Sequence, residues 1–178
     1  MISVASTVEQ WELVEPFATA RDSIAHLPVL QVTLTDAAGR RGWAEAAGVD
    51  YDGETPESMA AQVESVRAAL EGDLSLAALQ SLLPAGGARN ALDCALWDLH
   101  AKQTGVPAWR QAGLPGLKPV VTAFTLGLCD DADTRRKARE ARDYPLLKLK
   151  VDGERHLDIV RIVREELPTT RLVVDANQ

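Results

Sequence analysis

The sequence predicts an α+β unit followed by strand–helix repeats of the kind that build a parallel sheet. Two observations predict it. Residues 2 to 45 read as strands and residues 55 to 103 as helices, the order of an α+β unit. Beyond Pro119 the grammar becomes strand, helix, strand, helix, strand, which is the pattern of parallel strands covered by helices.

In the first region, residues 2–14 and 28–35 alternate apolar and polar positions. The turn-forming Asp36-Ala37-Ala38-Gly39 follows, and strand patterning resumes at Arg41-Gly42-Trp43-Ala44-Glu45, so an antiparallel meander is expected. At Thr55-Pro56-Glu57-Ser58 the period changes. Thr55 is a capping residue and Pro56 suits a first helical position. Met59, Val63, Val66 and Leu70 then recur at helical spacing, with Gly72 as the stop. A second helix is expected over 74–82. After Pro84-Ala85-Gly86-Gly87 a third covers 88–103, with Leu92, Ala95, Leu96 and Leu99 on one stripe and Gly105 and Pro107 ending it. That stripe, with Trp97, reads as packing between domains.

In the second region, 120–126 is rich in β-formers, 132–142 is helical and charged, and 146–151 is a strand. Residues 154–166 carry the helical stripe Leu157, Val160 and Val163, and 171–175 form a third strand. Neither a repeat nor a low-complexity tract interrupts the chain.

The chain of 178 residues, 46% hydrophobic, is long enough for a sizeable core. Nineteen basic and 26 acidic residues give a net charge of −7, which disfavours nucleic acid and anionic membrane as partners and favours a small molecule. Cys94 and Cys129 lack the spacing of a metal clip and read as free thiols of a reducing compartment. The first residues have no leader pattern and no run is long enough to span a bilayer, so a cytoplasmic location is expected. His26, His100 and His156 have no partners at ligand spacing, and Asp93 and Asp98 lie on opposite sides of their helix.

The chemistry sits on the last two strands. Alternation puts Lys148 and Lys150 on one side of Leu146-Leu147-Lys148-Leu149-Lys150-Val151, and Asp175 and Asn177 on one side of the strand end Val174-Asp175-Ala176-Asn177. Burying such groups is costly unless they pair with one another, a metal or a ligand, so the arrangement reads as a site. The C-terminal ends of barrel strands are where ligands bind, and Asp175 occupies such an end.

These motifs, together with the helix Ala88-Arg89-Asn90-Ala91-Leu92-Asp93-Cys94-Ala95-Leu96-Trp97-Asp98-Leu99, resemble the muconate-lactonizing branch of the enolase superfamily. The stretches Thr122-Ala123-Phe124-Thr125-Leu126-Gly127 and Leu83–Asn90 are most similar to L-Ala-D/L-Glu dipeptide epimerases. The resemblance implies an α+β capping domain over residues 1–118. Residues 119–178 would then form the first three strands of a (β/α)7β TIM-like barrel, incomplete in this chain. A full barrel takes about 250 residues, so the remaining metal carboxylates and a second lysine would lie elsewhere, and these residues alone would be inactive.

The same resemblance implies roles. Lys150 would remove or return the substrate α-proton, and Lys148 would hold its neighbour's charge state and help polarise the substrate carboxylate. Asp175 would be one of three carboxylate ligands to Mg²⁺, with Asn177 behind it. A lysine acts as a base only when neutral, and loses its proton more readily when buried or beside another cation. The negative charge that develops beside the substrate carboxylate needs a stabilising cation, and a lysine paired with Mg²⁺ is the known device of this superfamily. Arg21, on the loop Pro16-Phe17-Ala18-Thr19-Ala20-Arg21, matches a residue that grips a substrate carboxylate, a task suited to a guanidinium. Asp22 beside it departs from the family's glycine. Tyr51, on a second loop, would close over the substrate, and Thr125 would offer a hydroxyl contact. The partner is thus a small dipeptide, with a homo-oligomer or the rest of the barrel completing the assembly. Two other readings stand beside this one: a muconate cycloisomerase or o-succinylbenzoate synthase of the same branch, and a non-catalytic fragment that assembles with a partner.

Overall fold

The computed structural model describes residues 2–72 and 75–176. The chain divides into two compact units, Met1–Glu12 with Leu27–Leu117, and Leu13–His26 with Lys118–Gln178.

The first unit is a three-stranded sheet backed by helices. Strands β1 (Ile2–Ala18), β2 (Ser23–Asp36) and β3 (Arg41–Ala46) lie in that order. The outer parts of β1 and β2 belong to the second unit. β2 and β3 are antiparallel, in register from Leu30 opposite Ala46 to Thr35 opposite Arg41. Asp36 builds the turn between them: its carboxylate accepts the N–H groups of Ala38 and Arg40, the Arg40 guanidinium and the Gln103 amide. Burial pushes against its charge, but hydrogen bonds from Gln103 and from the side chain and backbone of Arg40 outweigh it and hold the carboxyl at about 2.

A short 3₁₀ turn, Asp50–Asp52, precedes helix α1 (Pro56–Ser65). Thr55 caps α1 as predicted, its hydroxyl accepting the Ser58 N–H while the Ser58 hydroxyl accepts from the Thr55 backbone. The single helix expected from 56 to 70 is two. At Val66 the N–H turns to the carbonyl of Val63 at 3.3 Å, and α2 (Arg67–Leu70) starts anew. Ser75 caps α3 (Leu76–Leu82); the start expected at 74 lies outside the described residues.

Helix α4 (Gly87–Thr104) closes on Gly105 in the left-handed region, as its sequence predicts. Its Leu92, Leu96 and Leu99 stripe is buried with Leu30, Val32, Leu34, Met59 and Val63 in the core of this unit, rather than between domains. Asp98 and Lys102 fasten α4 to β3: Asp98 accepts the Trp43 N–H at 3.0 Å, and Lys102 donates to the Arg41 carbonyl at 2.7 Å. Gly42 permits the approach, since a Cβ there would stand 2.2 Å from the Ala95 carbonyl oxygen. A short helix, α5 (Ala108–Gln111), follows the Pro107 that reads in the sequence only as a stop.

The second unit holds a parallel sheet in the order β4 (Phe124–Leu126), β5 (Leu146–Lys150) and β6 (Arg171–Asp175). Helices α6 (Asp131–Glu140) and α7 (His156–Glu166) supply the crossovers. The strand expected from 120 shrinks to three residues, because its register with β5 covers only Phe124 opposite Leu147 to Leu126 opposite Leu149. Leu126, Leu147 and Leu149 pack with Ala138, Ala141, Ile159 and Val163 of the helical layer. Arg135 and Arg139 of α6 bind Glu166 of α7. The Arg139 guanidinium above all, then that of Arg135, overcomes burial and holds the Glu166 carboxyl at about 2.

Two expectations follow. Gly42→Ala lowers stability by about 3 kcal/mol in urea unfolding, because the backbone atoms that its methyl meets cannot give way. For Glu166 the folded pKa lies below the ordinary 4.5, so its contribution is present above that value and is lost as pH falls towards about 2. Melting temperature measured across that window falls more steeply for the wild type than for Glu166→Gln.

Candidate functional site

The two-faced strand β5 builds the site. Its residues alternate between fully buried Leu147 and Leu149 and partly exposed Lys148 and Lys150. Five residues with two leucines locked under helices have no freedom of register, because a one-residue slip would drive both ammonium groups into the apolar layer. The lysines therefore stand on the face opposite the helices.

β6 brings the counter-charge. In the parallel register Lys150 lies beside Asp175 and Lys148 beside Val173. Lys148 Nζ is 2.7 Å and Lys150 Nζ 3.1 Å from the same oxygen, Asp175 Oδ2. The side chains of Lys150, Asp175 and Lys148 are 13%, 28% and 36% exposed, so the pair is shielded on its inner member and open to solvent at its outer one. The backbone continues the contact, with the Val151 N–H donating to the Asp175 carbonyl at 3.3 Å.

Thr125 is the register neighbour of Lys148 on β4. It also lines a cavity of about 230 Å³ with Phe17, Phe124, Lys137 and Tyr144, where Phe124 and Tyr144 stack at 4.4 Å. Arg21 belongs to the same unit, in the exposed turn joining β1 to β2, where its N–H donates to the Thr19 hydroxyl at 3.2 Å. Tyr51 belongs to the first unit, in the 3₁₀ turn, and is 71% exposed. Asn177 lies outside the described residues. The structure thus joins Lys148, Lys150 and Asp175 directly and sets Thr125 beside them. A larger cavity of about 730 Å³, lined by Asp36, His100 and Gln103 among others, lies in the first unit and includes none of these residues.

Asp175 offers hard carboxylate oxygens at a strand end, the donor type that Mg²⁺ takes, and two ammonium groups already converge on it. It suits one position of such a shell. Among the described residues no group of three or more His, Cys, Asp or Glu could hold a metal. Sequence reasoning did not single out Arg155, whose bonds across two loops involve residues 24 and 26 positions away. The unusual sign of its charge at a helix start was the available signal.

The model of the mandelate racemase / muconate lactonizing enzyme N-terminal domain matches residues 1–113. The chain belongs to this family, in the enolase superfamily, and its parallel sheet corresponds to the start of the barrel. It is 36% identical over 172 residues to the L-Ala-D/L-Glu epimerase of Escherichia coli (strain K12), covering 96% of this chain and 53% of that protein. An enolase family member from Agrobacterium tumefaciens with homology to dipeptide epimerases, solved with sodium and L-Ala-L-Glu, matches with a TM-score of 0.92. It is 33% identical, over 99% of this chain and 54% of that one. A dipeptide epimerase from Methylococcus capsulatus, complexed with Mg and L-Arg-D-Lys, matches with a TM-score of 0.87. It is 29% identical, again over 99% and 54%. The chain spans about half the length of the relatives it matches. No described helix is long and apolar enough to cross a membrane.

The two faces of β5 predict opposite responses to substitution. Leu149→Ala lowers stability by about 2–5 kcal/mol in urea unfolding. Lys150→Met changes it by less than about 1 kcal/mol, because the Lys148–Asp175 pair remains.

Proposed function

We propose that this chain supplies the capping domain and the first three strands of a TIM-like barrel in a Mg²⁺-dependent dipeptide epimerase of the L-Ala-D/L-Glu type. The observation that carries this reading is the convergence of Lys148 and Lys150 on Asp175 at the C-terminal ends of two parallel strands. The likeness to dipeptide epimerases over nearly the whole chain supports the substrate class.

In this reading Lys150 moves a proton at the substrate α-carbon. It is the better shielded of the two amines, which suits a group that must exchange a proton with substrate rather than with water. Lys148 stands one row further down the strand, beside Thr125, and adds positive charge next to the inner amine and the substrate carboxylate. Asp175 holds both lysines in place and serves as one ligand to Mg²⁺. When bound, the cation spreads the negative charge that develops on the substrate carboxylate as the α-proton leaves. Arg21 grips the substrate's distal carboxylate, and Thr125 gives a hydroxyl contact.

The test uses the full-length protein in deuterium oxide with L-Ala-D-Glu and L-Ala-L-Glu, following deuterium at the glutamyl α-carbon by NMR. Exchange that depends on Mg²⁺ is expected. Lys150→Ala lowers it by about 10²–10⁴-fold from one stereochemical face. Wild-type protein that exchanges neither epimer, or unchanged exchange from both faces in Lys150→Ala, contradicts the reading.

A further inference from the structure

Arg155 sits where helix physics argues against it. It is the N-cap of α7, a position that favours Ser, Thr, Asp or Asn, and it makes no side-chain cap there. Its positive charge also lies at the positive end of the helix dipole. What offsets that local cost is long-range. Arg155 Nη1 donates to the Cys129 carbonyl at 2.9 Å, and Nη2 binds the Asp131 carboxylate. Cys129 lies on the loop after β4, Asp131 is the first residue of α6, and Arg155 ends the loop after β5, so one guanidinium bridges the two connections that leave neighbouring strand ends.

Both anchors are themselves held. On the β5 side, Asp152 Oδ1 accepts the N–H groups of Glu154 at 3.1 Å and Arg155 at 2.6 Å, which shapes the turn that aims the guanidinium across the gap. On the β4 side, Asp130 caps α6 through the Asp133 N–H, and the Thr134 hydroxyl donates to the Asp130 carbonyl. The end of β5 is therefore tied on both flanks. On one, the Val151 N–H reaches β6 at the Asp175 carbonyl; on the other, Arg155 reaches the loop after β4. Lys150 is the residue directly before Val151. The ion pair with Asp131, whose side chain is 68% exposed, contributes little by itself, so the bond to the Cys129 carbonyl carries the tie.

We propose that Arg155 is a positioning residue for Lys150. It fixes the strand end from which that amine reaches the α-carbon, and so sets proton transfer on one face of the substrate. The inference rests on the reading of Lys150 as the acid/base group, and two measurements separate the two claims.

The first is amide hydrogen exchange by NMR on the full-length protein, with no substrate. In Arg155→Ala the Val151 amide exchanges about tenfold faster, while those of Leu147 and Leu149, in the middle of the ladder, keep their wild-type rates. Unchanged Val151 protection, or equal acceleration of all three amides, overturns the proposal. The second is α-proton exchange by the full-length protein. Arg155→Ala lowers kcat about tenfold on the face that Lys150→Ala impairs, with KM and the opposite face within about twofold. Arg155→Lys recovers part of the loss, since an ammonium reaches one acceptor where the guanidinium fork reaches two. Equal loss on both faces, or none, overturns the proposal. A wild type that exchanges no α-proton sinks the epimerase reading, and positioning for that reaction with it; the Val151 amide then decides whether the tie between the loops exists.

Discussion

Two ammonium groups share one carboxylate oxygen on the face of a parallel sheet that looks away from its helices, and the second unit is organised around making that possible. Such a cluster is stable only where its charges balance locally and its surroundings cannot rearrange. Leu147 and Leu149 meet the second condition by locking β5 onto α6 and α7. Asp175, brought alongside by parallel register, goes half of the way to meeting the first. The arrangement keeps a residual positive charge, which in the proposed function receives an anionic substrate.

Much of this was legible in the sequence, because the signals were local. Alternation alone places both lysines on one face. Thr55-Pro56 and Gly105 mark helix ends by conformational preferences that need no tertiary partner, and the order of strands and helices gives the two fold classes. The motifs around Lys148, Lys150 and Asp175 also carry the resemblance to the enolase superfamily, which the match over residues 1–113 establishes.

What was not legible depended on partners distant in the chain. Residues 120–123 have strand composition, but β5 offers no register to pair with them. The break at Val66 leaves the apolar spacing of Met59, Val63 and Leu70 intact, so periodicity reads straight through it. The Asp98 and Lys102 contacts to β3 span 55 and 61 residues, and Arg155 reaches back 26 to Cys129. In each case a polar side chain serves another segment's backbone, and only at Arg155 does a local rule, the sign of a charge at a helix start, mark it. Burial has the same character: the Leu92–Leu99 stripe announces an apolar face, while the elements that cover it are known only from the fold.

The most direct test of the shared carboxylate is zero-length coupling with a water-soluble carbodiimide, followed by peptide mass spectrometry. The reagent joins an amine to a carboxylate only when the two touch. An amide bond from Lys148 or Lys150 to Asp175 as the dominant product of these lysines is the predicted result. Lysines that couple instead to helix carboxylates, with Asp175 left unjoined, would contradict the cluster on which the account stands.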